Sequence, residues 1–133
     1  MSLLVDEFAA WLQAQGEGTV MQTIFKMQRP AAPVACVTVH VTGGYPPPHY
    51  TRREFPTLQV VARAASPKAA LDKAYSMYNR THGKVRVTMG GLHAFTMHAT
   101  ASPAYIGEEQ AANVTAHLAA FNLVFDLRRP SSP

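Results

Sequence analysis

The sequence predicts an α+β domain, in which an antiparallel or mixed β-sheet carries two α-helices packed on one face. Three observations point there. Helical periodicity occurs over residues 3–15 and again after Ser66-Pro67. Period-two patterns recur in at least four places, so strands outnumber helices. The later strands are joined by short connections such as Gly90-Gly91, which suit antiparallel neighbours. At 133 residues and 14.5 kDa, residues 1–133 make one domain.

In residues 3–15, Leu4, Phe8, Trp11 and Leu12 recur at helical spacing, with Ser2 placed to cap and Asp6-Glu7 near the positive end of the dipole. Gly16 and Gly18 end the helix. Thr19–Phe25 is rich in β-branched residues and reads as a short strand. Val37-Thr38-Val39-His40-Val41 alternates as a strand with one wet face. Residues 42–56, with Pro46-Pro47-Pro48 at their centre, read as a long Pro-rich loop, because three prolines favour an extended polyproline path.

Leu58–Ala62 reads as a buried strand. Ser66 then caps a helix with Pro67 at its first position; the helix runs to about His82 with an apolar stripe of Ala70, Leu71, Ala74, Tyr75 and Tyr78. Gly83 ends it. Val85 and Val87 begin a strand that turns at Gly90-Gly91 and pairs back through Leu92–Ala99. Ser102–Glu109 reads as a connection. Asn113–Leu127 is a long strand whose apolar parity changes near Ala119-Ala120, the sign of a bulge or of a change in partner surface. Residues 128–133 read as a flexible tail.

Several function classes lose support. No run of about 18 apolar residues exists to span a bilayer as a helix. The acidic start, Asp6-Glu7, does not suit a signal peptide, so cytosolic synthesis is expected. With Cys36 the lone cysteine, there is no internal disulfide framework and no cysteine zinc site. Six histidines (His40, His49, His82, His93, His98 and His117) lack metal-ligand spacing, so no metal or other cofactor is expected. Neither a nucleophile elbow nor a phosphate-binding glycine loop is present, and no catalytic residue is assigned.

Interaction residues are better represented. Tyr45, His49, Tyr50, Arg52 and Arg53 concentrate aromatic and basic groups in the 42–56 loop, and Arg128 and Arg129 form a second basic pair. Arg63 leaves a buried strand just before a helix; its guanidinium either pairs with an acid of a neighbouring subunit or stands exposed. The Tyr-His-Tyr-Thr-Arg-Arg stretch also suits a nucleic-acid-binding module that stacks bases and contacts phosphate. A small ligand-binding or enzymatic domain with a histidine site is a further alternative.

The sequence resembles the tail terminator, or tail completion (minor capsid), proteins of long-tailed phages. The likeness rests on the N-terminal helix followed by Thr23-Ile24-Phe25 and a proline (Pro30 or Pro33), and on the Thr42-Gly43-Gly44-Tyr45 strand ending. It rests also on Phe55-Pro56-Thr57-Leu58-Gln59-Val60-Val61-Ala62-Arg63 leading into the alanine-rich Lys68–Tyr75, and on the closing Phe121–Phe125. The proline triplet and the basic tail have no matching feature in the family pattern. The resemblance implies a non-enzymatic virion protein: a hexameric homo-oligomer ring at the head-proximal end of the tail tube. Such a ring stops tube polymerisation and meets the tail tube protein and a head-completion or neck protein. Double-stranded DNA passes its lumen without sequence-specific contacts, and assembly takes place in the host cytoplasm, away from any membrane. Another neck or tail-tube ring component would share this architecture.

Overall fold

The computed structural model describes residues 4–18, 20, 22–28, 34–45, 53–89, 92–111 and 114–128. The elements are α1 (Leu4–Ala14), β1 (Ile24–Lys26), β2 (Cys36–Tyr45), β3 (Arg53–Ala64), α2 (Pro67–Thr81), β4 (Lys84–Met89), β5 (Leu92–Ala99), β6 (Ala104–Ala111) and β7 (Val114–Arg128). The seven strands form one mixed sheet in the order β1-β2-β3-β7-β5-β4, with β6 also pairing β7. Only β1 and β2 run parallel. The predicted α+β class holds.

Both helices cover the same face. Leu4, Val5, Phe8, Ala9 and Leu12 of α1 share one core with Ala70, Ala74 and Met77 of α2. Phe8 meets Phe125 of β7 edge-on, with ring centroids 5.6 Å apart, and Tyr78 of α2 meets Phe121 of the same strand at 6.0 Å. Odd-numbered residues of β7 thus anchor both helices, as the period-two geometry of a strand requires. The stripe of α2 differs from the expected one. Met77 and Thr81 are buried while Tyr75 is 43% exposed, so the inward face is rotated toward the i, i+4, i+7 series from Ala70. Thr81 tolerates burial because its hydroxyl donates to the Met77 carbonyl at 2.8 Å.

Three further expectations are corrected. Residues 104–111 are not a connection but β6, paired along the first half of β7. The 42–56 loop is narrower, since β2 continues through Tyr45 and β3 begins at Arg53. Arg128, expected to open the tail, is the last residue of β7. The parity change in β7 is a change of partner surface. Its pairing with β3 keeps one register from Arg53 opposite Arg128 to Ala64 opposite His117. The irregularities fall in its other partners, between Ala94 and Thr96 of β5 and between Tyr105 and Gly107 of β6.

The second face of the sheet is less wet than the alternation implied. Thr38 is completely buried, and Val61, Leu118 and Ala120 form a small apolar cluster of their own. Of the even-numbered apolar residues of β7, Ala116, Leu118, Ala120 and Val124 are therefore already buried within the chain, and Val114 is exposed.

Candidate functional site

One end of the sheet gathers basic positions that are far apart in the chain. Arg53 at the start of β3 is in register with Arg128 at the end of β7, and His93 of β5 is in register with Arg128 on its other side. His93 continues to Thr88 of β4, whose hydroxyl lies 3.4 Å from its Nδ1, and its ring meets Phe95 edge-on at 5.2 Å. Tyr45 stands opposite Phe55 on the same end of the β2–β3 pair. His49, Tyr50, Arg52 and Arg129 lie outside the described residues, the two arginines being chain neighbours of Arg53 and Arg128. Arg53 and Arg128, which the sequence assigns to loop and tail, belong to one end of one sheet.

Arg63 goes elsewhere. Only 2% exposed, it donates from Nε to the Val34 carbonyl at 2.9 Å and from Nη1 to Glu109 Oε2 of β6 at 2.9 Å. The carboxylate it pairs with is in its own chain. A connection over Ser102–Glu109 hides Glu109, although the polar Glu108-Glu109-Gln110 run offers the partner such an arginine needs.

Glu17 is a buried acid that no local sequence signal marks. Gly16 sits at φ 84°, a conformation glycine adopts without steric cost, and its N–H donates to the Gln13 carbonyl while the Glu17 N–H reaches back to Leu12. This helix-ending motif turns Glu17 toward α2. There its carboxylate, 3% exposed, accepts from Lys73 Nζ at 2.8 Å, Ser76 Oγ at 2.8 Å and Arg80 Nε at 2.6 Å. Burial alone would raise its pKa, but these hydrogen bonds and the Lys73 charge outweigh burial and hold it below the ordinary value. A cavity of about 460 Å³ opens between Glu17, Arg63, Lys73 and Cys36. Both of its cations and its carboxylate are engaged with protein partners, so it reads as a joint between elements. Among the described residues no group of three His, Cys, Asp or Glu side chains is placed to hold a metal ion. No helix among them is long and apolar enough to cross a membrane.

Large exposed apolar residues lie along the first half of β7. Val114 opens that strand, and Tyr105 and Ile106 lie on β6 beside its first half; they are 45%, 42% and 52% exposed. At roughly 3.3 Å per residue, Val114 lies about 45 Å along β7 from Arg128, and Tyr105, opposite Ala119, about 30 Å. The fold and its surfaces define a small α+β domain whose buried charges, Glu17 and Arg63 among the described residues, are both paired.

Residues 11–127 match the family model described as bacteriophage tail terminator protein. The chain belongs to this family, and is therefore a structural component of a phage tail. A solved structure with 12% sequence identity superposes with a TM-score of 0.55, over 96% of this chain and 92% of that one, which shows a shared fold. No curated protein matches the sequence at a significant level.

Proposed function

We propose that this subunit is a tail terminator acting by assembly, without catalysis. Six copies form a ring at the head-proximal end of the tail tube, end its polymerisation and present the surface that a head-completion or neck protein joins. Duplex DNA passes through the lumen without sequence-specific contacts. The subunits assemble in the host cytoplasm. A closed ring requires two different patches on each subunit that complement one another in a neighbour.

The observation that supports the reading is the polarity of β7: exposed Tyr105, Ile106 and Val114 lie along its first half, and the Arg53–Arg128 register position marks its last residue. Apolar and aromatic residues of the first kind suit the desolvated centre of a subunit contact. Tyr45, His49, Tyr50, Arg52, Arg53, Arg128 and Arg129 then serve contacts beyond the ring. Arg63 serves indirectly, by fixing β6 in place.

Light scattering of the purified protein across a concentration series tests this. Six copies of 14.5 kDa give a species of about 87 kDa, and Ile106→Arg is expected to return it to monomer with unchanged circular dichroism. A protein that stays monomeric and also fails to bind purified tails with open tube ends would overturn the proposal.

A further inference from the structure

Most of the described charges are answered within the chain. Lys26 pairs with Asp6, Arg63 with Glu109, Lys68 with Asp72, and Lys73 and Arg80 with Glu17. Among the described side chains of Lys, Arg, Asp and Glu, those without a partner are Lys84, Arg86, Glu7 and Glu108. Glu7 is half-buried on α1, whereas Lys84 and Arg86 are exposed on β4 and Glu108 is exposed on β6. Both of these strands are open edges: β4 ends the sheet, and β6 pairs with β7 alone. No described residue of β6 is buried. Each edge sets a large apolar group beside its charge. Val85, 64% exposed, lies between Lys84 and Arg86, and Ile106, 52% exposed, lies two residues before Glu108.

Open edges invite pairing with any passing strand, and lysine or a kink in the backbone is the usual guard against it. Both guards are present: Lys84, and left-handed backbone at Arg86 (φ 55°) and Gly107 (φ 137°). They do not act alike on every partner. Two β4 edges, or two β6 edges, would oppose like charges, whereas β6 against β4 joins opposite ones. The edges that match are unlike and both belong to this chain, so the occupant is a second copy. β6 pairs Val114 to Ala120 of β7, and β5, with β4 outside it, pairs Leu123 to Arg128. Because a strand twists about its own axis, edges set along different stretches of β7 face different ways. A two-fold pair of copies needs both to face the same way. Here each contact leaves one edge open for the next copy.

We propose that the β6 edge of one copy docks on the β4 edge of the next, with Glu108 facing Lys84 and Arg86 and Ile106 meeting Val85. The proposal deepens the ring reading, on which it rests for the number of copies, and supplies the second patch that a closed ring requires.

Charge reversal tests it, because like charges brought together across a contact are strongly rejected. Glu108→Lys makes both edges basic, and Lys84→Glu/Arg86→Glu makes both acidic. Each variant alone is expected to run near 14.5 kDa in light scattering, with unchanged circular dichroism. Mixed one to one, they should regain the wild-type mass, since every contact then joins an acidic edge to a basic one. Lys84→Glu, which leaves Arg86 in place, should raise the concentration at which copies assemble and repeats the test should the double variant fail to fold. A wild type that assembles only on open tube ends is scored there with the same proteins. Variants that keep the wild-type mass, or a mixture that stays monomeric, overturn the contact and leave the ring standing. Restored assembly that stops at two copies or runs on as filaments sinks the ring and leaves the contact. A wild type that is monomeric in solution and absent from tube ends overturns both. So, for the contact alone, does duplex DNA bound by the wild type and lost by the acidic variant at unchanged mass, which would give Lys84 and Arg86 to phosphate.

Discussion

The Arg63 guanidinium reaches Glu109 at 2.9 Å across a strand that lies between them. Arg63 is opposite Leu118 of β7, Glu109 is opposite Ala116 of the same strand, and β3 and β6 flank β7 on its two sides. The arginine stem therefore passes over the second face of β7 at Leu118, which is only 7% exposed. One ion pair ties β6 to the body of the sheet and closes the face above it.

Removing the acid should cost more than removing both partners, because a buried guanidinium is left with fewer acceptors. Glu109→Ala is expected to lower stability by about 2 kcal/mol in urea unfolding. Arg63→Met keeps the stem and drops the charge; combined with Glu109→Gln, its cost should fall well short of the sum of the single losses. Strictly additive losses would show that the pair is uncoupled.

Glu17 predicts an acid response. Its folded-state pKa is below the ordinary value of 4.5, so its stabilising contribution is full above that value and is lost as pH falls through the folded pKa. Glu17→Gln keeps the shape and removes the titration. The variant should be less stable at neutral pH by about 2 kcal/mol, as hydrogen bonds to a charged group imply. Its urea midpoint should then fall less than that of the wild type on moving from pH 6 to strongly acidic solution, as the linkage relation requires. Parallel pH profiles would mean that the carboxylate does not couple folding to protons.

Ser66 accepts from the Ala69 N–H at 3.2 Å and precedes Pro67, the first residue of α2. Ser66→Ala should lower stability by about 1 kcal/mol, the usual worth of such a cap. Thermal melts of Ser66→Ala and Ser66→Asp decide it: Asp should restore the loss, and equal losses would assign the effect to something other than capping.

Local signals made most of the fold legible. Ser66-Pro67, the Val37–Val41 alternation and the pairing of Val85 and Val87 with Leu92–Ala99 each follow from a few neighbouring residues. β6 escaped because Gly107, Glu108, Glu109 and Gln110 are weak strand formers, held by pairing with β7 and by the Arg63 bond rather than by propensity. Arg53 and Arg128 are plain in the sequence, but their meeting depends on the β3–β7 register, a long-range property no local window contains. Glu17 was hidden for the same reason: its partners Lys73, Ser76 and Arg80 belong to a helix far along the chain.

The end of α2 offers the last test. The His82 ring stacks on Tyr78 at 5.0 Å with the planes 8° apart, and its Nδ1 accepts from the Ala99 N–H at 3.0 Å, while the Gly83 N–H donates to Met97. The helix terminus is thereby fastened to the end of β5. An accepting Nδ1 must be unprotonated, which assigns any ring proton of the neutral form to Nε2. His82→Phe retains an aromatic face for Tyr78 but leaves the Ala99 N–H without its acceptor, at an expected cost of about 1 kcal/mol. Amide hydrogen exchange at Ala99 should accelerate in that variant, and His82→Asn, whose side-chain oxygen replaces the lost acceptor, should recover part of the protection. Equal protection of Ala99 in all three proteins would show that stacking and the Gly83–Met97 bond hold this corner without the imidazole.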